Sequence, residues 1–188
     1  KFHTHENVGY GDERLPEMQM HTTSFWLTVP EDVVTSMGVS RAAVLDGLRG
    51  VGSAMHLVAA VGLMCDPRDL GHVLGDRSEP DAAPSSDGGP SSDGGPGFDP
   101  TIFLYDHVPG GVGLAPRLFE ERESLLIRTR ALIEACLCRD GCPACIGPQP
   151  DGPAGPPEGQ RSERPRRRAK RKSFALELMR AIGVSSLQ

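Results

Sequence analysis

Four of the five cysteines in this 188-residue chain fall within ten positions: Cys136, Cys138, Cys142 and Cys145, a C-x-C-x3-C-x2-C arrangement turned by Gly141 and Pro143. Thiolates at that density suit a tetrahedral Zn2+ ion, which takes sulfur at about 2.3 Å and imposes no d-electron geometry of its own. Four sulfurs would close the coordination sphere and leave no position for a catalytic water, so such a site braces a fold. Arg139 and the backbone N–H groups of the knuckle are candidates to offset the negative charge of four thiolates. An iron–sulfur cluster uses the same ligand set. Cys142-Pro-Ala-Cys145 alone has the spacing of a dithiol redox pair, and disulfides would need an oxidising compartment. The two further cysteines just upstream, without a βαβ frame, favour zinc. Cys65, after an apolar helix, is expected to be a plain buried thiol.

The remaining candidates for chemistry are weaker. Gly110-Gly111-Val112-Gly113 follows a strand-like run and opens a helical one, but it has no G-K-[ST] and fails G-x-G-x-x-G, so the chain is expected to be no enzyme by itself. Its glycines point to a tight turn with unusual backbone angles. Asp106, just before it, is expected to cap N–H groups of that turn and not to pair with His107 in acid–base work. His56 reads as a satisfied core histidine, and Asp66 and Asp69 as turn residues. His3 and His5 alternate on a strand-like run, which is too little for a metal site.

The net charge of -5 hides an asymmetry. Residues 161–172 hold eight Lys/Arg against Glu163 alone, a segment of +7 that leaves -12 on the rest. An acidic body repels a phosphate backbone and a basic segment attracts it. DNA contacts are therefore expected from Arg164, Arg166, Arg167, Arg168, Lys170, Arg171 and Lys172, with a solvated helix face as the plain alternative.

The elements that must position the cysteines follow from patterning. Met18–Val29 is rich in Thr, aromatic and β-branched residues, as a strand is, and Trp26 is expected in the core. Thr28 with Glu31 resembles a capping box opening a short helix that stops at Gly38. From Ser40, the apolar positions Val44, Leu48, Val51, Met55, Val58 and Gly62 fall on one helical face, and Pro67 ends the helix. Strands are expected at 71–74 and 101–106, and a helix from 113 to 136 leads into the cysteines. Phe174, Leu178 and Ile182 stand four apart on a terminal amphipathic helix that must dock. The expected fold class is thus α+β: a small sheet from the segments near 18–29, 71–74 and 101–106, covered by helices at 40–63 and 113–136 and closed by a four-cysteine zinc knuckle.

Composition sets the boundaries. With 23 Gly and 17 Pro, much of the chain is ill suited to packing. Residues 77–100 contain SSDGGP twice in tandem, at 85–90 and 91–96, and read as a disordered insertion. The expected organisation is a zinc-binding domain over 1–147 with that insertion, a flexible Gly/Pro linker over 148–163, and a basic segment with the terminal helix over 164–188. No apolar run reaches the ~18–20 residues of a bilayer span, and no leader pattern is visible, so a soluble cytoplasmic protein without a membrane partner is expected. The chain opens on Lys1, as a piece of something longer would.

These motifs together resemble the C-terminal zinc-binding domain, of the domain of unknown function 1998 type, of bacterial superfamily 2 DNA helicases of the mitomycin repair factor A (YprA-like) type, related to the Hrq-type RecQ-like helicases. The resemblance covers nearly the whole chain. It rests on LPEMQMHTT within residues 9–23, the helix with His56 leading to CDPRDLG at 65–71, FLYDHVPGGVGLA at 103–115, and CLCRDGCPACIG at 136–147. It implies that Cys136, Cys138, Cys142 and Cys145 are ligands of one structural zinc. It also implies that this chain is a noncatalytic accessory part, the C-terminal fragment, of an ATP-dependent DNA helicase of the DEAD/DEAH-box type acting in DNA repair. Its partners would be the helicase motor domains of the parent chain and DNA, with no small-molecule substrate. The SSDGGP insertion and the Gly/Pro linker depart from the family pattern. A free-standing structural-zinc module for protein interaction is the alternative, and a zinc hydrolase or dithiol oxidoreductase stands third.

Overall fold

The computed structural model describes residues 19–76, 98–148 and 171–184, and everything in it is arranged around one helix. The apolar stripe that begins at Val44 becomes α2 (Arg41–Leu63), with Val44, Leu48, Val51 and Met55 fully buried. Ser40 caps its start by accepting the Ala43 N–H at 3.3 Å, and Met64, in the left-handed region at φ 52°, ends it. At 23 residues it is long and apolar enough to cross a bilayer. The sheet on one side and helices on the others cover much of its apolar surface and make it the core helix, while Leu57 and Val61 remain exposed.

The sheet has three antiparallel strands in the order β1 (Ser24–Thr28), β3 (Pro100–Asp106), β2 (Leu70–Asp76). β2 and β3 pair from Leu70↔Asp106 to Asp76↔Pro100, so the SSDGGP repeats lie between paired strand ends; the repeats themselves are outside the described residues. The insertion expected to run to residue 100 gives way earlier, because Phe98 is buried and Pro100 opens β3. Ile102, Leu104, Leu70 and Phe25 face inward. Alternation along β1 then forces Trp26 to the other face, where it is 49% exposed, contrary to its expected place in the core. The cross-strand pairing sets Trp26 beside Phe103 and Phe103 beside Val73 on that outer face.

α1 (Glu31–Ser36) starts differently from the capping box read in the sequence. Thr28 is inside β1 and shares a 3.0 Å hydrogen bond with the Thr101 hydroxyl, while the Glu31 N–H is taken by the Asp99 carboxylate at 3.0 Å. A distant acid has replaced the local cap. The helix expected over 113–136 is two, α3 (Leu114–Glu120) and α4 (Arg122–Ala135), broken where Glu121 leaves helical angles at φ -95°, ψ 13°.

The glycine turn between β3 and α3 is ordered by one carboxylate. Asp106 is fully buried and accepts the N–H groups of Val112 (2.6 Å), Gly113 (2.9 Å) and Leu114 (3.2 Å) on Oδ2 and that of Ala115 (3.0 Å) on Oδ1. Gly111 sits at φ 76°, and a Cβ there would come within 2.6 Å of the Thr23 hydroxyl. His56 is half-buried with Nε2 at 2.7 Å from the Leu70 carbonyl and 2.9 Å from that of Pro67, so it acts as a donor tying α2 to the turn before β2. Its ring stands 4.9 Å from that of His72, whose pKa is lowered by burial and then by His56. Asp66 accepts the Arg68 N–H, as a turn residue does, and Cys65 is half-buried with its thiol pKa raised, mainly by burial.

The terminal helix α6 (Arg171–Ala181) docks on α2 and α4. Ala175, Leu178 and Met179 are its fully buried residues, with Phe174 and Ile182 half-buried beside them. Phe174 lies so close to α2 that a Cβ on Gly47 would be 2.7 Å from its ring. Buried Arg130 of α4 pairs through Nε with Glu134 at 2.8 Å and donates to the Val184 carbonyl, holding the end of α6.

Candidate metal centre

The cysteines gather where α4 stops. Cys136, at φ -66°, ψ 128°, is the first residue out of α4, and the chain then reverses at Gly141, φ 105°, to enter the single turn α5 (Pro143–Ile146). Within α5 the Cys145 and Ile146 N–H groups bond to the Cys142 carbonyl, each at 3.1 Å, and the Cys142 N–H points to the Cys145 sulfur at 3.3 Å. That local ring sets two sulfurs side by side and offers them to the two arriving from the end of α4.

The four Sγ atoms lie within 4.8 Å of one another. The close pairs are Cys136–Cys142 at 3.6 Å, Cys138–Cys145 at 3.5 Å and Cys142–Cys145 at 3.7 Å. An ion with zinc–sulfur bonds of about 2.3 Å at tetrahedral angles needs sulfurs about 3.8 Å apart, so this donor set fits a four-thiolate zinc with only small adjustment. Disulfide sulfurs would stand at about 2.05 Å, far closer than any pair here. All five cysteines are free thiols.

Electrostatics in the cluster point the same way. The Cys142 thiol is pulled down to about 7, first by the hydrogen bond from Cys136 and then by the N–H groups of Cys145 and Ala144. Burial pushes the Cys145 thiol up to about 12. One thiolate is thus favoured near neutrality and a second resisted, an imbalance that a dication among the sulfurs removes.

The knuckle is seated on the core. Ile146 is 1% exposed and presses on α2 at Gly50, where a Cβ would lie 3.2 Å from its own, and Gly147, at φ 71°, passes against Ser53. Arg139, expected to offset the sulfur charge, is exposed. The cation that reaches the knuckle is Lys172 from α6, whose Nζ donates to the Cys136 carbonyl and, at 3.3 Å, to that of Cys138, while its backbone N–H donates to Asp140 O at 3.2 Å. Its neighbour Arg171 lies 3.1 Å from Asp46 of α2 as an ion pair. Both belong to the run expected to meet DNA. Arg164, Arg166, Arg167, Arg168 and Lys170 are outside the described residues, as are His3 and His5. Nothing in the local sequence separates Lys172 from the other cations of that run; the contact depends on a fold-back across 27 residues from Cys145.

The MrfA Zn-binding domain family matches residues 51–146, from the middle of α2 through the last cysteine. Over 155 residues, 81% of the chain, it is 36% identical to a Bacillus subtilis (strain 168) protein described as the uncharacterized ATP-dependent helicase YprA, covering 18% of that protein. Over 45 residues, 24% of the chain, it is 49% identical to the uncharacterized protein MJ1572.1 of Methanocaldococcus jannaschii, covering 40% of it. Its fold resembles the crystal structure of the DUF1998 helicase MrfA bound to DNA, with a TM-score of 0.63 and 29% identity over 97% of this chain and 20% of that one. The chain therefore spans about a fifth of the length of the helicases it matches.

Proposed function

Because the chain belongs to the MrfA Zn-binding domain family, we propose that it is the noncatalytic, zinc-braced accessory part of an ATP-dependent DNA helicase, with Cys136, Cys138, Cys142 and Cys145 holding one zinc. The observation that carries this reading is the sulfur cluster itself: four thiols within 4.8 Å, on a knuckle wedged against the core helix. When bound, the ion supplies folding energy and a fixed end for α4. The chain's own residues do the rest. Ile146 docks the knuckle, Asp106 orders the turn into α3, and the helices present a rigid body to a larger protein.

The parent is read as a DEAD/DEAH-box helicase acting in DNA repair in the cytoplasm, with the motor domains and DNA as partners. The likeness to YprA and to MrfA bound to DNA supports this, and it favours an accessory role over a free-standing interaction module. Arg164, Arg166, Arg167, Arg168 and Lys170 are the candidates for contacts with the phosphate backbone.

Elemental analysis of the purified chain tests the metal, with one zinc per chain expected and none from Cys142→Ser. In the parent helicase, the same substitution should lower ATP-dependent unwinding while the motor domains stay folded. Unwinding that is indifferent to loss of the metal would refute the accessory role.

A further inference from the structure

Lys172 makes three contacts with one short stretch of chain. Its ammonium meets the carbonyls of Cys136 and Cys138, and its N–H meets that of Asp140, so a single residue of α6 grips the knuckle on both sides of Cys138. Those carbonyls need partners, because α4 has ended and the loop has no helix or strand of its own to satisfy them. Cys136 and Cys138 supply two of the four sulfurs, so orienting their backbone orients their thiols. We infer that Lys172 is a positioning residue of the metal site, completing the knuckle from α6 and coupling metal retention to the docking of that helix.

The inference rests on the zinc reading above and extends it to a residue that sequence would give to DNA. Groups that orient first ligands typically alter metal affinity by 10–100-fold. The plain alternative is that Lys172 merely helps to hold α6 down, as Arg171 does through Asp46. The two differ in what each substitution does to the metal.

The test is zinc transfer from the whole chain to a chromogenic chelator, followed for the wild type, Lys172→Met, Lys172→Arg and Arg171→Met. Lys172→Met should release zinc about tenfold faster or more. Lys172→Arg, which keeps a cation on a long stem, should recover most of the loss, and Arg171→Met should release at about the wild-type rate. Equal rates for Lys172→Met and wild type, or for Lys172→Met and Arg171→Met, would overturn the inference. A wild-type chain without zinc would sink the zinc reading itself, a distinguishable outcome. Should Lys172→Met not fold, hydrogen exchange on the wild type decides. Chelating the metal should accelerate exchange at the start of α6 more than in the middle of α2, and unchanged protection there would refute the coupling.

Discussion

Replacing Asp106 tests whether one carboxylate holds the turn that joins sheet and helices. Its two oxygens accept four backbone N–H groups at 2.6–3.2 Å, two of them, from Leu114 and Ala115, in buried hydrogen bonds. Asp106→Ala strands all four. The N–H groups of Val112 and Gly113 are near the surface and can turn to water, whereas each buried one costs about 1–3 kcal/mol when left without a partner, giving a loss of about 4 kcal/mol. Asp106→Asn differs instructively. With its amide oxygen in the place of Oδ2 it keeps three acceptances and turns its NH2 toward the Ala115 N–H, losing about 1–2 kcal/mol. A domain of this size shifts its midpoint by about 2–4 °C per kcal/mol, so Asp106→Ala should melt roughly 8–16 °C lower and Asp106→Asn roughly 2–8 °C lower. Scanning calorimetry with zinc in excess measures both. An alanine variant within about 2 °C of wild type, or an asparagine variant as damaged as the alanine one, would mean that the turn is held by other contacts.

Other outcomes follow from the same geometry. Cys145→Ser removes the most buried of the four sulfurs and should abolish zinc uptake and depress the melting temperature, read by elemental analysis and calorimetry. Zinc affinity should fall as pH falls. The ion must displace the proton of Cys145, held up to about 12, and below about 7 it must displace that of Cys142 as well, so titrations across neutrality should show proton release and progressively weaker binding in acid. Gly47→Val should cost about 1–3 kcal/mol by pushing the Phe174 ring and loosening α6, visible in urea unfolding. Replacing Arg164, Arg166, Arg167 and Arg168 with Ser should weaken DNA binding and flatten its salt dependence by up to about 0.9 per lost phosphate contact, in titrations at two salt concentrations. Deleting everything from residue 161 is a poorer test, since it also strips Ala175, Leu178 and Met179 from the core.

Features whose partners lie nearby in sequence were legible there. The four-cysteine spacing brings the sulfurs together because the reversal at Gly141 and the turn of α5 are local. The glycine turn with Asp106 was readable for the same reason, and so was α2, whose stripe keeps one periodicity from Val44 to Gly62. Features set by distant contacts were not. Trp26 is a core residue by composition, yet the pleat that buries Phe25 turns it outward. Thr28 is a reasonable cap by spacing, but strand pairing claims its hydroxyl for Thr101 and brings Asp99 to Glu31. Lys172 is one cation among eight until α6 folds back across the knuckle.

Small residues on α2 explain why the metal site and the terminal helix can share one core. Gly47 admits Phe174 and Gly50 admits Ile146, one helical turn apart, so α6 and the knuckle reach the same helix at neighbouring positions. They then touch each other through Lys172. Knuckle, α2 and α6 form a closed circuit of contacts. Beside that circuit, the groove between α2 and α4 near the knuckle is lined by Leu57, Val58, Val61, Arg128, Leu132 and Ala144, a mostly apolar surface. Lys172 and Ile146 tie the end of α4 and the start of α6 to the same stretch of α2.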